Sequence, residues 1–243
     1  MNLLILGANS SVAHAAARIF ASREKAGICL ASRDMDLLQK KARDLTARYG
    51  VKATAIFLDA TDYSSHQGFY SNLETKPDGV LLAFGYLGDQ EKAQQDFNKA
   101  KSIIETNFLG AVSLLEIIAA DFEKRKAGFI IGVSSVAGER GRQSNYIYGS
   151  SKGALTLYLG GLRNRLFKSK VHVMTVLPGF IRTKMTDGLA LPEKLMASPE
   201  AVAEDIYTAY IKKKDIVYTK WFWHFIMLII RSIPEMVFKR MRL

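Results

Sequence analysis

One cysteine, Cys29, is all the thiol chemistry this chain has. An internal disulfide is thereby excluded, as is any multi-cysteine metal site. Histidine is almost as scarce: His14, His66, His172 and His224 are scattered, with no pair at the spacing that would place two ligands on one helix face. No metal is expected. Proline numbers only 5 in 243 residues, and no proline-rich or serine-rich stretch reads as a linker. Hydrophobic residues make up 49%, enough for one full core, so a single domain is expected rather than two small ones. The opening apolar run, Leu3 to Leu6, has neither a basic region before it nor a long apolar stretch after it. That argues against a signal peptide and for a cytoplasmic location.

Acidic residues are also in deficit, 23 against 34 Lys and Arg, for a net charge of +11. The excess is concentrated at the end, where Lys212 to Leu243 holds only Asp215 and Glu235 as acids. A basic balance raises nucleic acid as a partner, but the chain has no zinc knuckle, no aromatic RNA-binding signature and no basic recognition helix. Nucleic acid is therefore not expected. A basic segment interleaved with apolar residues suits an anionic lipid surface better.

What the chain does contain is an alternation of short apolar runs and amphipathic stretches. Strands are expected over Asn2 to Leu6, Ile28 to Ala31, Ala53 to Leu58, Val80 to Phe84, Phe129 to Val133, Val171 to Leu177 and Ile216 to Tyr218. Helices are expected through Ala16, Ile19 and Phe20, over Asp36 to Tyr49, over most of Gln90 to Lys124, after Asn145, and over Glu200 to Ile211. Such alternation implies right-handed crossovers and an α/β fold, a single-domain Rossmann-like doubly wound parallel sheet. The first strand runs into Gly7-Ala8-Asn9-Ser10-Ser11-Val12-Ala13 and then a helix. Free backbone N–H groups and the helix dipole would make that turn a phosphate cradle.

The stretch around which the rest is organised is Gly132 to Ala154. With Asn145 as helix N-cap, Tyr148 and Lys152 fall at i and i+4 on one face, one turn apart. An ammonium beside a phenol favours the phenolate, so Tyr148 is expected to have a depressed pKa and to serve as general acid or base at a carbonyl. Ser135, ending the strand before it, would hold the carbonyl oxygen.

Ser135, Tyr148 thirteen residues later and Lys152 four after that resemble the active-site signature of the short-chain dehydrogenase/reductase family, over Met1 to about Tyr218. Within it, YGSSKGALTLYLGGLRNRL and PGFIRTKMT are most similar to the bacterial decaprenylphosphoryl-2-keto-ribose reductase group. The resemblance implies a keto-reductase with Ser135, Tyr148 and Lys152 as catalytic residues and Asn107 holding a water behind the lysine. It also implies a dinucleotide held by Gly7, Asn9, Ser10, Ser11 and Val12, by Ser32 and Arg33, by Asp59 and Ala60, by Ala83, Phe84 and Gly85, by Tyr148 and Lys152, and by Pro178, Gly179, Ile181 and Thr183. The family turn is richer in glycine; here Ser11 and Ala13 stand at two of its glycine positions. An acid after the second strand would favour NAD, whereas Ser32 and Arg33 suit the 2′-phosphate of NADP. NADP is thus preferred, and Asp34 pointing inward would permit NAD. Capping near Tyr63 is a competing use for Asp59.

Lys184 to Pro199 has little periodicity and is expected to close over substrate. Residues 219–243 form an apolar and basic extension to the 1–218 domain, an amphipathic helix. Its ten-residue stretch from Trp221 to Ile230, apolar but for His224, is too short to span a bilayer, which needs about 20. Lying on the cytoplasmic face of a membrane and packing in a homodimer or homotetramer are both open for it. The loop and the apolar, basic tail suit a lipophilic ketone, one carried by a lipid. The resemblance sharpens this to a lipid-linked keto sugar and implies a flavin-dependent oxidase partner that makes the ketone. A reductase of another lipid ketone, 3-ketoacyl or ketosphingoid, and a non-catalytic dinucleotide-sensing protein are the alternatives.

Overall fold

The computed structural model describes residues 1–188 and 191–241. The expectations for the 184–199 loop and for the tail therefore fall partly outside the described residues, at Leu189, Ala190, Arg242 and Leu243.

Seven strands, β1 Asn2–Leu6, β2 Gly27–Ser32, β3 Ala53–Phe57, β4 Gly79–Leu82, β5 Phe129–Val133, β6 His172–Pro178 and β7 Ile216–Thr219, pair in the order β3-β2-β1-β4-β5-β6-β7. All six pairings are parallel. The central strands are apolar on both faces because both are covered, as parallel sheets require. Along β1, Leu3 and Ile5 enter one core with Phe20, Leu38 and Ile206. Leu4 and Leu6 enter the other with Tyr70, Leu115 and Leu159.

The first core is closed by α1 Ser11–Arg23, α2 Met35–Tyr49 and α8 Pro199–Ile211. The second is closed by α3 His66–Ser71, α6 Gly110–Arg125 and α7 Tyr146–Leu166. Strand order reverses between β1 and β4, and a doubly wound sheet opens its ligand crevice at such a point, beyond the C-terminal strand ends.

The expected helix over Gln90 to Lys124 is broken. Asp96 ends α4 Gln90–Gln95 and starts α5 Phe97–Ile104, where its side chain accepts from Asn98 N. A π-turn, Glu105–Leu109, then joins α5 to α6. At the end of the chain α9, Phe222–Ser232, follows β7; Pro234 breaks it, and α10, Glu235–Phe238, follows. Trp223 and Met227 of α9 are buried with Val136 and Leu177 in a third, smaller core.

Candidate active site

Gly7 makes the first βα turn possible. Its φ is +83°, and a β-carbon on it would lie 2.4 Å from Phe84 N. The N–H groups of Gly7 and Ala8 donate to Ala31 O at 2.9 and 3.1 Å, and Ser10 N closes the turn on Gly7 O at 3.0 Å. Glycine is needed here for conformation and for space. At the other two turn positions Ser11 is exposed and Ala13 fully buried, so side chains fit.

Ser10 occupies the N-cap of α1 without a side-chain capping bond, and the first turn of α1 has no acid. Orphan N–H donors and the positive helix end thus face the crevice, the chemistry a pyrophosphate needs. Asn9 Nδ2 donates to Asp34 O at 3.0 Å, while its Oδ1 is buried without a partner among the described residues. Val12 is buried beneath the turn. These residues fit a bound dinucleotide.

One participant escaped the sequence reading. Lys41 Nζ donates to Ala8 O at 3.1 Å and Asn9 O at 3.0 Å, gripping the turn from behind. Burial lowers its pKa to about 8. The available signal was its place on the apolar stripe of α2, with Leu38, Ala42 and Leu45.

At the expected adenosine end, Asp34 does not point inward. Its carboxylate caps α2, accepting from Leu37 N at 3.0 Å. Ser32 ends β2, and Arg33 is exposed beyond it. Asp59 Oδ1 accepts from Thr61 N at 2.9 Å and Thr61 Oγ1 at 2.8 Å, bonds that hold its carboxyl below the usual range. Its neighbour Ala60 is packed against α6: a β-carbon on Gly110 would lie 2.2 Å from Ala60 O.

Beyond the end of β4, Ala83 N still donates to Leu6 O at 2.8 Å, although the strand stops at Leu82, two residues short of expectation. Gly85 follows where Lys152 and Asn107 converge: a β-carbon there would lie 3.4 Å from Lys152 Nζ and 3.5 Å from Asn107 Oδ1. The π-turn brings Asn107 into the core, fully buried and fully bonded. Its Oδ1 accepts from Tyr86 N at 2.7 Å, and its Nδ2 donates to Tyr86 O at 2.8 Å and Ser151 Oγ at 2.9 Å. Ser151 in turn donates to Tyr148 O at 2.7 Å. Asn107 thus ties the β4 exit to the helix carrying Tyr148.

Lys152 is buried, and its Nζ donates to Val133 O at 3.0 Å. Desolvation lowers its pKa to about 8. Tyr148 is pushed up to about 12 by burial, with the Ser135 hydroxyl pulling the other way. The expected depression of the phenol by the lysine is therefore corrected: burial raises the phenol, and the ammonium is turned to a carbonyl at the end of β5. What the structure does bring to the phenol is Ser135, whose Oγ also accepts from Ala137 N at 3.1 Å. Ser134, the adjacent hydroxyl, is structural: it donates to Lys152 O at 2.8 Å. Asn145 stands at the N-cap of α7 but makes no capping bond, and its Oδ1 is buried without a partner among the described residues.

Pro178 ends β6. Gly179 beside it meets Trp223 of the tail: a β-carbon on Gly179 would lie 1.9 Å from the indole Cε2. Ile181 bridges to Ala197, and Thr183 N donates to Thr186 Oγ1 at 3.1 Å. The 184–199 segment contains a helical turn, Glu193–Leu195, and its Glu193 pairs with Arg182. Sequence reading also missed Arg140, which donates to the carbonyls of Ile230, Arg231 and Ile233 at 2.9, 3.0 and 2.7 Å. Arg140 thereby caps α9 from the loop that begins at Ser135. A surface concavity of about 1020 Å³ lies at the other end of the sheet, beside Gly128 and His172. Its Arg163 is already bonded to Val173 O, Thr175 Oγ1 and Asp215 O, and it is no part of this site.

The short chain dehydrogenase family model matches residues 1–194. The chain is a short-chain dehydrogenase/reductase. It is 34% identical over 242 residues to an uncharacterized oxidoreductase of Mycobacterium tuberculosis, covering 98% of this chain and 96% of the relative. An NADP-dependent 3-hydroxy acid dehydrogenase of Schizosaccharomyces pombe is 27% identical, with 88% of each chain covered. In fold, the dehydrogenase is similar to a Sphingobium yanoikuyae short-chain dehydrogenase in complex with NADPH, at a TM-score of 0.84, 21% identity and 96% coverage of both chains. It is an NAD(P)-dependent oxidoreductase acting on an alcohol or carbonyl.

Proposed function

We propose that the dehydrogenase is an NADPH-preferring reductase of a ketone carried on a lipid, with polyprenyl-phosphoryl 2-keto-ribose as the first substrate to test. The observation that carries this reading is the tail. Trp223 against Gly179 and Met227 beside Val136 place an apolar helix along the segments flanking Ser135, and the partly buried Phe180, Leu195 and Ile226 pack beside them. A substrate with an apolar carrier suits such a wall. NADP is favoured because Asp34 is spent on capping α2, leaving the exposed Arg33 as the charged group to meet a 2′-phosphate.

NADPH, when bound in the crevice, would supply a hydride to the carbonyl carbon. Tyr148 gives its phenolic proton to the carbonyl oxygen, which the Ser135 hydroxyl holds by a hydrogen bond. Lys152, its pKa lowered to about 8 by burial and its ammonium turned to Val133 O, would hold the cofactor ribose, as the resemblance implies, rather than lower the Tyr148 pKa. Asn107 holds Tyr86 and Ser151 and so fixes the helix turn from which Tyr148 acts. By resemblance, a flavin-dependent oxidase would supply the ketone.

The test is a panel of polyprenyl-phosphoryl 2-keto-ribose, a 3-ketoacyl thioester, a ketosphingoid base and a short water-soluble ketone, each with NADPH and NADH, for wild type and Arg33→Ala. The lipid-linked sugar with NADPH should turn over at least about tenfold faster than the others. Equal rates on a short water-soluble ketone would contradict the reading, and so would a preference for NADH that Arg33→Ala leaves unchanged.

A further inference from the structure

α9 is apolar on two opposite faces, and among the described residues only one of them is packed. The inner face, Trp223 and Met227, is buried against the dehydrogenase's own core. The outer face carries Trp221, Phe225, Leu228 and Ile229 at 72, 54, 51 and 65% exposure. These positions follow i, i+4, i+7 and i+8, so they form one stripe. Met236 and Val237, at 69 and 52%, extend the apolar surface beyond Pro234. An exposed apolar stripe rimmed by charged residues marks an interaction site.

The charges around it identify what it meets. Lys220 precedes Trp221, and the exposed Lys239 and Arg240 follow α10. Arg231 is held by Glu139 at 2.9 Å, and the nearby acid Glu235 is held by Arg140 at 2.9 Å. The rim is thus cationic. A second copy docking about a two-fold axis would bring Lys220, Lys239 and Arg240 against the same cations of its partner, an arrangement that like-charge repulsion disfavours. An anionic lipid surface complements both the charge and the apolar stripe. At 11 residues α9 is about 16 Å long, too short to cross a bilayer core of about 30 Å, so its fit is to lie along the interface. Trp221 beside a lysine suits headgroup depth.

We propose that the outer face of α9 and α10 is a docking surface for an anionic membrane. The surface is rigidly joined to the active site. Arg140 caps α9 from the loop after Ser135, its guanidinium carbon lies 3.9 Å from the centre of the Phe238 ring, and Trp223 rests on Gly179. Docking therefore sets the substrate crevice at a fixed attitude to the bilayer. This goes beyond the proposed reaction and does not rest on it.

The experiment is co-sedimentation of the full chain with phosphatidylcholine vesicles, with and without phosphatidylglycerol, at low and high salt, with light scattering of the free protein. Wild type should sediment only with phosphatidylglycerol vesicles, and high salt should release it. The triple variant Trp221→Ser/Phe225→Ser/Ile229→Ser and the double variant Lys239→Glu/Arg240→Glu should each partition at least about tenfold less. Thermal melts establish that both variants are folded; because they alter only the outer face and the rim, the midpoint should hold. Wild type remaining in the supernatant with phosphatidylglycerol would overturn the proposal. So would unchanged partitioning of both variants, or a dimer that the triple variant dissolves while vesicle binding persists. No turnover is measured, so a wrong substrate leaves this result intact.

Discussion

Trp223 fills the space that a side chain at residue 179 would need. A β-carbon on Gly179 would lie 1.9 Å from the indole Cε2 and 2.0 Å from Nε1, and Phe180 packs edge-on to the same ring with centroids 5.2 Å apart. The segment expected to border the nicotinamide is therefore packed directly against the tail.

Gly179→Ala should push Trp223 out and loosen the tail. The expected cost approaches that of deleting the indole, about 3 kcal/mol or more, and Trp223→Ala should reproduce it. Limited proteolysis checks this: cleavage within 219–241 should become fast in both variants while the 1–218 body stays resistant. Equal resistance in wild type and Gly179→Ala would show that the tail does not depend on this contact.

Lys152 should cost stability when no nucleotide is bound. Its pKa falls from 10.5 to about 8 on folding, so between those values the unfolded chain holds the proton more tightly. Stability due to this group therefore rises with pH across that window, and the cost is full below about pH 8. The shift corresponds to at most about 3 kcal/mol. Lys152→Met should melt above wild type at pH 7, and the advantage should shrink as pH approaches 10. A variant melting below wild type at every pH would refute the assignment.

Lys41→Met should weaken NADPH binding about tenfold, since it removes a grip on two turn carbonyls. In wild type the affinity should also fall as pH rises past about 8, where Lys41 loses its proton. The groups acting on that charge are Asp34, Lys184 and, on α1, His14. Titration calorimetry across pH 7 to 9 measures both. Unchanged affinity in the variant would make Lys41 a bystander.

Most of the frame was legible because buried parallel strands have apolar runs that need no partner to be recognised. The seven runs from Leu3 to Val217 fell within a residue or two of the strands observed. Contacts distant in sequence were not legible. Nothing local says that Lys41 turns back to the Ala8 carbonyl, that Arg140 reaches Ile230, or that Trp223 meets Gly179. Asn107 was visible as a polar residue in an apolar pattern, but the π-turn that swings it into the core was not. The Tyr148 pKa was misjudged for a related reason: helical spacing fixes which residues are neighbours, while the sheet and the β5 carbonyl decide how much water they lose and where Lys152 points.

The central claim is that one phenol delivers the proton while a dinucleotide held in the same crevice delivers the hydride. Tyr148→Phe, assayed for NADPH binding and for ketone reduction in parallel, tests it most directly. Binding should be retained within a few-fold and reduction should fall about a thousandfold or more. Reduction at near wild-type rate in this variant would contradict the account.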